Sequence, residues 1–409
     1  MPAWSRKCLT NNRLQRSHVG RFAPPFAAFL LACAPASDTG PGAIAVDTTP
    51  SGTVVVRNPA RGQWHPSDAW QLVEELRIGR VEGDGPDAFG QITGLDVDAW
   101  GRLYVLERQA QEVRVFDHDG GHVRTMGRKG AGPGELAGAN GVALDRMGRL
   151  WINDPANRRY TVYDTSGAFV TSYPREGLGF GFGWGGAFVR DGGLWDHWMI
   201  TEGSLRRSAL FRVDSSGYTD TLTLPRFEPP SFQLERGSSN DRMRVVFPVP
   251  FAAQELWRLD PRGFVWWNRS DEYRVLQLSL TGDTVRIVER EHDPIPVTAD
   301  DRHRALGRLR ETFASANASL DESRVPDRKP ALLGFVIDDR GYLWTVPLGA
   351  VDFDVFDPQG RYLGVVTSSM RAWHLAPLPI VRGAAMYYVV TDDLDVPHVV
   401  RARIEGRDE

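Results

Sequence analysis

Apolar and polar residues alternate with a period of two through most of the chain, in short runs separated by glycine-bearing turns. That is the pattern of strands with one face in a core and the other against a neighbour. One stretch shows the unit. Residues 140–144 predict a first strand, a turn from Asp145 to Gly148 leads into a second over 149–153, and 159–163 and 168–173 supply two more. A tight glycine turn followed by a residue of choice and an aromatic recurs six times: before Tyr104, Trp151, Trp195, Trp266, Trp344 and, in degenerate form, Tyr387. A second turn, Asp-x-x-Gly, recurs at Asp117, Asp164, Asp214 and Asp357. Its aspartate bonds its own backbone two residues on, and its glycine accepts positive φ. Repeats of this length cannot bury their apolar faces singly and must stack. The prediction is an all-β fold, a six-bladed β-propeller over 69–405. The last unit has material for three strands only, ending over 398–404, while 70–78 precedes the first full unit. Pairing of these two segments would close the ring with an N-terminal strand in the last blade.

The intervals between glycine turns are 47, 45, 70, 78 and 42 residues. A blade needs about 40–50, so the two long intervals carry extra material, at 225–254 and 291–332. Within the second, Leu306, Leu309 and Phe313 have helical spacing over 299–316, predicting a short helical insertion between blades 4 and 5. The first, with Pro225, Pro229, Pro230, Pro248 and Pro250, predicts an ordered irregular loop. Both extras join the fourth strand of one blade to the first strand of the next. Because strand direction alternates, they share a face with the second-to-third-strand loops, while the Asp-x-x-Gly turns lie opposite. Elaboration on one face marks a recognition surface. Its candidate contacts are Glu107, Arg108, Arg158, Arg159, His197, Trp267, Asn268, Arg269, Arg371, Trp373 and His374, aromatic faces and cationic donors suited to a carbohydrate, a carboxylate or an anionic small molecule.

The chain has 409 residues, 42% of them hydrophobic, enough for one large core. Of its 48 basic residues only Lys7, Lys129 and Lys329 are lysines, no arginine cluster exceeds two neighbours, and acids outnumber bases; a nucleic-acid partner is not expected. The first 21 residues carry Arg6, Lys7, Arg13, Arg16 and Arg21 and no acid, and an apolar run follows over 22–32. That run is too short to span a bilayer and has signal-peptide length. The tetrad Leu30-Leu31-Ala32-Cys33 resembles the bacterial lipobox. The resemblance implies a signal peptide over 1–32, lipidation of Cys33 and a cell-envelope location, periplasm-facing or outer-membrane, with the lipid as the sole membrane contact. Residues 33–68, rich in Ala, Pro, Gly, Ser and Thr, then predict a flexible tether, and 406–409 a tail.

Gly127-Arg128-Lys129-Gly130-Ala131-Gly132-Pro133-Gly134-Glu135-Leu136 and the segment from Asn153 to Asp164 resemble the NHL repeat over about 70–175. The body resembles uncharacterised bacterial six-bladed propeller lipoproteins, which bring no catalytic residues with them. No nucleophile elbow, H-E-x-x-H or paired-cysteine zinc pattern occurs. Asp392, Asp393, Asp395 and His398 form an acidic loop of the oxygen chemistry calcium takes, but a solvated turn is expected there, with no catalytic residue, metal or cofactor. The expectation is a monomeric envelope protein whose propeller binds a ligand or protein partner through one elaborated face. The alternative is a propeller lyase or lactonase-type hydrolase, which requires ionisable groups converging at the channel mouth.

Overall fold

The computed structural model describes residues 42–175, 184–189, 192–202, 205–214, 217–236, 243–368 and 377–407, with backbone only at 201–202, 205–206 and 236. The expected signal peptide and Cys33 lie outside the described residues. Four-stranded antiparallel units follow one another along the chain. The first runs Ile92–Val97, Leu103–Glu107, Glu112–Phe116, His122–Met126, and the second Gly141–Leu144, Leu150–Asp154, Arg159–Tyr163, Phe169–Pro174. The third is Ala187–Phe188, Leu194–Glu202, Leu205–Asp214, Gly217–Thr223, and the fourth Glu255–Asp260, Phe264–Arg269, Arg274–Ser279, Thr284–Arg290. The fifth is Leu332–Ile337, Leu343–Pro347, Phe353–Phe356, Tyr362–Ser368. The last consists of Ile380–Arg382, Ala385–Thr391, Pro397–Glu405 and, from the other end of the chain, Gln71–Ile78. The register runs from Val399 opposite Ile78 to Glu405 opposite Gln71, so the closing strand lies where the periodicity placed it. Every unit has a register shift between its third and fourth strands, at Phe116, Tyr163, Val213, Leu278, Phe356 and Ala402. Such bulges raise local twist, as wedge-shaped sheets packed around an axis require.

Apolar clusters between neighbouring units go full circle. Leu106, Val115 and Leu136 meet Val142 and Ile152 between units one and two. Trp151, Tyr160 and Val162 meet Leu194 and Val213 at the next interface. Trp195 and Leu210 then meet Val265 and Trp267, and Trp266 and Val288 meet Phe335 and Tyr362. Trp344 and Phe353 meet Met386 and Tyr388, and Tyr387 and Val399 return to Leu95 and Val105 of unit one.

The repeated turn is built on one carboxylate. Asp145 Oδ1 accepts the N–H groups of Met147 and Arg149, both at 2.9 Å, while Oδ2 accepts Arg149 Nε at 2.7 Å and Trp151 Nε1 at 3.2 Å. Asp98 binds Arg102 Nε at 2.6 Å, and Asp260 and Asp338 accept the indole N–H of Trp266 and Trp344 at 3.2 Å. The aromatic six residues beyond the aspartate is thus fixed from both sides: its ring packs between units and its polar atom ties back to the turn. Gly148 has φ 74°, a left-handed conformation that a side chain would resist.

Two segments depart from expectation. Residues 33–68 are not a tether throughout: Ala45–Thr48 and Val54–Asn58 form a hairpin, and Val54–Asn58 pairs in parallel with Thr284–Arg290 on the outer edge of unit four. Buried Asn58 donates to the carbonyls of Glu289 and Gly360, both at 2.9 Å, and accepts from Tyr362 N at 2.7 Å, bridging units four and five. Small polar residues serve hairpin turns as well as linkers, and the short apolar run around Val55 and Val56 supplies the burial. Nor is 406–409 a free tail at its start. Arg407 is buried, 2.8 Å from Asp338 Oδ2, with side-chain exposures of 1% and 0%. Its guanidinium lies 5.3 Å from the Trp70 ring and 5.1 Å from that of Tyr342. Arg407→Ala leaves the Asp338 carboxylate buried without its cation and should destabilise the domain by about 3 kcal/mol. Chemical denaturation followed by tryptophan emission measures it, and a loss below about 1 kcal/mol would reduce Arg407 to an ordinary surface pair.

Candidate functional site

The ends of the second strands show what the loops opposite the minimal turns are made of. Glu107 closes the second strand of unit one, is buried, and accepts the N–H groups of Gly90 at 3.2 Å and Gln91 at 2.8 Å and also Ala110 N. Asp154 repeats this in unit two, accepting Ala137 N at 3.0 Å, Gly138 N at 2.9 Å and Asn157 Nδ2 at 2.7 Å. Arg159 donates to the carbonyls of Gly132 and Glu135 at 2.6 and 2.8 Å, holding the glycine-rich segment that begins at Gly127. These groups organise backbone and are not free to meet a ligand. Trp267 and Asn268 are likewise interior: Trp267 Nε1 donates to Glu255 Oε1 at 2.8 Å, and Asn268 Nδ2 binds the carbonyls of Glu272 and Arg274, both at 2.9 Å. Arg269 is half-buried and tied to Asp271 at 2.7 Å and Glu272 at 2.5 Å. Arg108 is half-buried, and Arg158 is exposed with φ 53° in the loop. Arg371, Trp373 and His374 lie outside the described residues. The expected ring of contacts therefore does not assemble from Glu107, Trp267 and Asn268. A polar residue at a strand end has two uses, ligand contact or backbone capping, and the residue type is the same for both.

His197 stacks on Trp257 with ring centroids 4.7 Å apart. Its neighbour Asp196 is buried and accepts Trp184 Nε1 at 2.6 Å, His197 N at 2.7 Å and the Tyr160 hydroxyl. His197 Nε2 is buried without a hydrogen-bond partner, and burial holds the imidazole below its usual range against the opposing field of Asp196. Glu255, beside Trp267 and Ser208, is pushed up by burial.

The axis is a cavity of about 260 Å³ lined by the first strand of every unit: Leu95 and Asp96, Val142 and Ala143, Ala187, Arg258, Val336, and Val381 and Arg382. Gly94, Gly141, Gly185 and Gly186 also line it. A Cβ at Gly185 would stand 2.7 Å from the Trp257 ring, so the glycines admit the tryptophans to the wall. No group of three or more His, Cys, Asp or Glu side chains is placed to hold a metal among the described residues. Asp392 of the acidic loop accepts Leu394 N at 2.9 Å, Val396 N at 3.0 Å and His398 Nε2 at 3.1 Å. It is the repeated turn again, with Asp395 at φ 59° where others carry glycine.

A larger groove, about 500 Å³, opens beside unit four between Asp271–Arg274, Glu289–Arg290 and the second insertion at His292, Pro294, Pro326, Arg328 and Lys329. Beneath it the buried Asp354 carboxylate accepts Tyr362 OH at 2.6 Å and Tyr273 OH, and lies 3.2 Å from Arg290. Burial drives the Tyr273 phenol well above its ordinary range. The insertions themselves fold together. The first is a hairpin, Ser231–Arg236 with Met243–Pro248, and not an irregular loop. The second contains the helix Ala299–Ser315, capped by Thr298 and Asp301. Phe232 and Leu234 of the hairpin share a core with Leu306, Phe313 and Val325. The alternation of Phe232 and Leu234 with Gln233 and Glu235 carries the hairpin signal, overshadowed in sequence by the flanking prolines.

Residues 82–176 match the family model described as a 6-bladed beta-propeller. Together with six stacked units closing on themselves, this decides the fold. The chain is a six-bladed β-propeller. Similar solved structures include a candidate exported protein from Bacteroides fragilis, at TM-score 0.47 and 11% identity over 86% of this chain and 99% of that one. Virginiamycin B lyase from Staphylococcus aureus aligns at TM-score 0.42 and 11% identity over 81% and 99%. A gluconolactonase from Xanthomonas campestris aligns at TM-score 0.40 and 13% identity over 76% and 85%. At this distance none of them speaks to chemistry. No curated protein matches the chain. Among the described residues of the propeller, no helix is long and apolar enough to cross a membrane.

The orphaned ring nitrogen of His197 makes a checkable pH statement. Its folded pKa lies below the unfolded value, so as pH falls through about 6.5 the unfolded chain binds a proton that the folded chain resists. Stability is therefore present above that pH and lost below it. His197→Phe keeps the stack on Trp257 and should flatten the decline in unfolding midpoint between about pH 7 and 5; an unchanged slope would show that the imidazole protonates freely in the fold.

Proposed function

We propose that the protein is an exported, lipid-anchored cell-envelope propeller that binds a carboxylate-bearing ligand, a glycan or an envelope protein, through its elaborated face. The observation that carries this is the shared core of the two insertions. Segments far apart in sequence form one cap, and the cap supplies a wall of the groove beside unit four. On the groove's rim Arg328 is exposed, Arg274 is held only loosely, 3.4 Å from Glu289, and Lys329 anchors to Asp301 at 2.8 Å. The half-buried His292, its ring centroid 5.5 Å from that of the buried Tyr273, offers aromatic surface next to these cations. Cationic donors beside aromatic faces bind carboxylates and sugar rings together. The alternative, a lyase or lactonase-type hydrolase, needs free acids and bases converging on the axis, whereas the channel carboxylates Asp96 and Asp339 accept backbone N–H groups.

Two measurements test the two halves. In a bacterial host, Cys33→Ser should move the protein from the membrane fraction to the soluble fraction; retention at the wild-type level would remove the anchor. An oligogalacturonate should bind the purified protein saturably, while a neutral oligosaccharide of equal length should not. The double variant Arg274→Glu, Arg328→Glu should weaken that binding about tenfold or more. Equal binding of acidic and neutral sugars, or none of either, would overturn the assignment of this face.

A further inference from the structure

The axial cavity contains a cation that forms no ion pair among the described residues. Arg258, in the first strand of unit four, lines the channel. Its Nε donates to the Phe335 carbonyl at 2.9 Å, its Nη1 to the Trp257 carbonyl, and the guanidinium lies 5.6 Å from the Phe335 ring. A guanidinium has five N–H donors, and these bonds account for two. Among the described residues no carboxylate forms an ion pair with it, and burial alone acts on its pKa, drawing it down to about 10. It is still charged at neutral pH. The channel's own acids are engaged elsewhere: Asp96 accepts Leu144 N and Val97 N, both at 2.7 Å, and faces Arg382, while Asp339 accepts Gly383 N at 3.2 Å.

A buried cation without a partner is costly, and it stands here beside open space and not inside a packed core. The space, about 260 Å³, holds on the order of eight waters, far more than one inorganic ion fills. Apolar stretches of the wall are formed by Leu95, Val142, Ala143, Val336, Ile337 and Leu378. An arginine without an ion-pair partner among the described residues, beside these apolar stretches, fits a ligand with an anionic end and a short hydrocarbon body.

We propose that the axial channel binds a small organic carboxylate, its anionic end on the Arg258 guanidinium and its body against the apolar walls of the first strands. This site is separate from the groove beside unit four and does not rest on the reading of that face. Butyrate is the probe. Calorimetric titration of the purified protein should give a saturable single site, with a matching change in tryptophan emission because Trp184 lines the channel. The uncharged analogue butyramide should not bind, and chloride should not reproduce the signal. Arg258→Met should weaken butyrate binding about tenfold or more, whereas the groove variant Arg274→Glu, Arg328→Glu should leave it unchanged. A crystal soaked in 2-bromobutyrate, which cannot close a five-membered lactone, locates the ligand without any variant, and its bromine should lie within the channel. Equal affinity for butyramide, binding of chloride alone, unchanged affinity in Arg258→Met, absence of saturable butyrate binding, or bromine outside the channel would each overturn the proposal.

Discussion

The ring depends on one strand pairing made between the two ends of the chain. Gln71–Ile78 adds itself to Pro397–Glu405 and converts an open stack of sheets into a closed one. An open stack would leave the last unit short of a strand and expose the apolar faces that Tyr387 and Val399 present to unit one. Hydrogen bonds supply the register, but side chains clasp the joint: Trp70 lies under Arg407, and Arg407 is neutralised by Asp338 of the fifth unit. The cation therefore ties the C-terminus, the N-terminal strand and a neighbouring unit at one point. Asn58 makes a comparable tie on the outer side of units four and five. Closure is distributed over charge, aromatic and amide contacts, each placed where two chain segments distant in sequence meet.

The same economy governs the turns. In units one, two, four and five one aspartate side chain, Asp98, Asp145, Asp260 or Asp338, organises the backbone of the turn and reaches an arginine or the aromatic of the following strand. The aromatic then fills the space between units. Local and tertiary structure are coupled through that carboxylate, which explains why the aspartate, glycine and aromatic recur together at fixed spacing. On the opposite side the loops have no such shared chemistry. There Glu107 and Asp154 cap backbone, while units three to five diverge and carry the insertions. Constraint on one side and freedom on the other is the physical basis for a face that can specialise.

The two cavities differ in construction. The groove beside unit four has mobile-length cationic side chains at its rim and a rigid network of Asp354, Tyr273, Tyr362 and Arg290 beneath it. The axial channel is narrow and glycine-lined, with Arg258 beside Asp96, Asp339 and Arg382 and apolar stretches between them.

The strands, the turns, the number of units and the closing strand were legible in the amino-acid order, because period-two alternation and the aspartate–glycine–aromatic spacing are local and repeated. The helix of the second insertion was legible for the same reason, since Leu306 and Phe313 declare their face within a few residues. The roles of single polar residues were not. Glu107 and Trp267 have the chemistry of ligand contacts, and only the approach of the Gly90–Gln91 backbone and of Glu255 turned them inward. The hairpin at Ser231–Arg236, the docking of Val54–Asn58 and the burial of Arg407 were decided by partners remote in sequence. A contact between distant segments leaves no periodicity in either one, so it becomes visible only when the ring has brought them together.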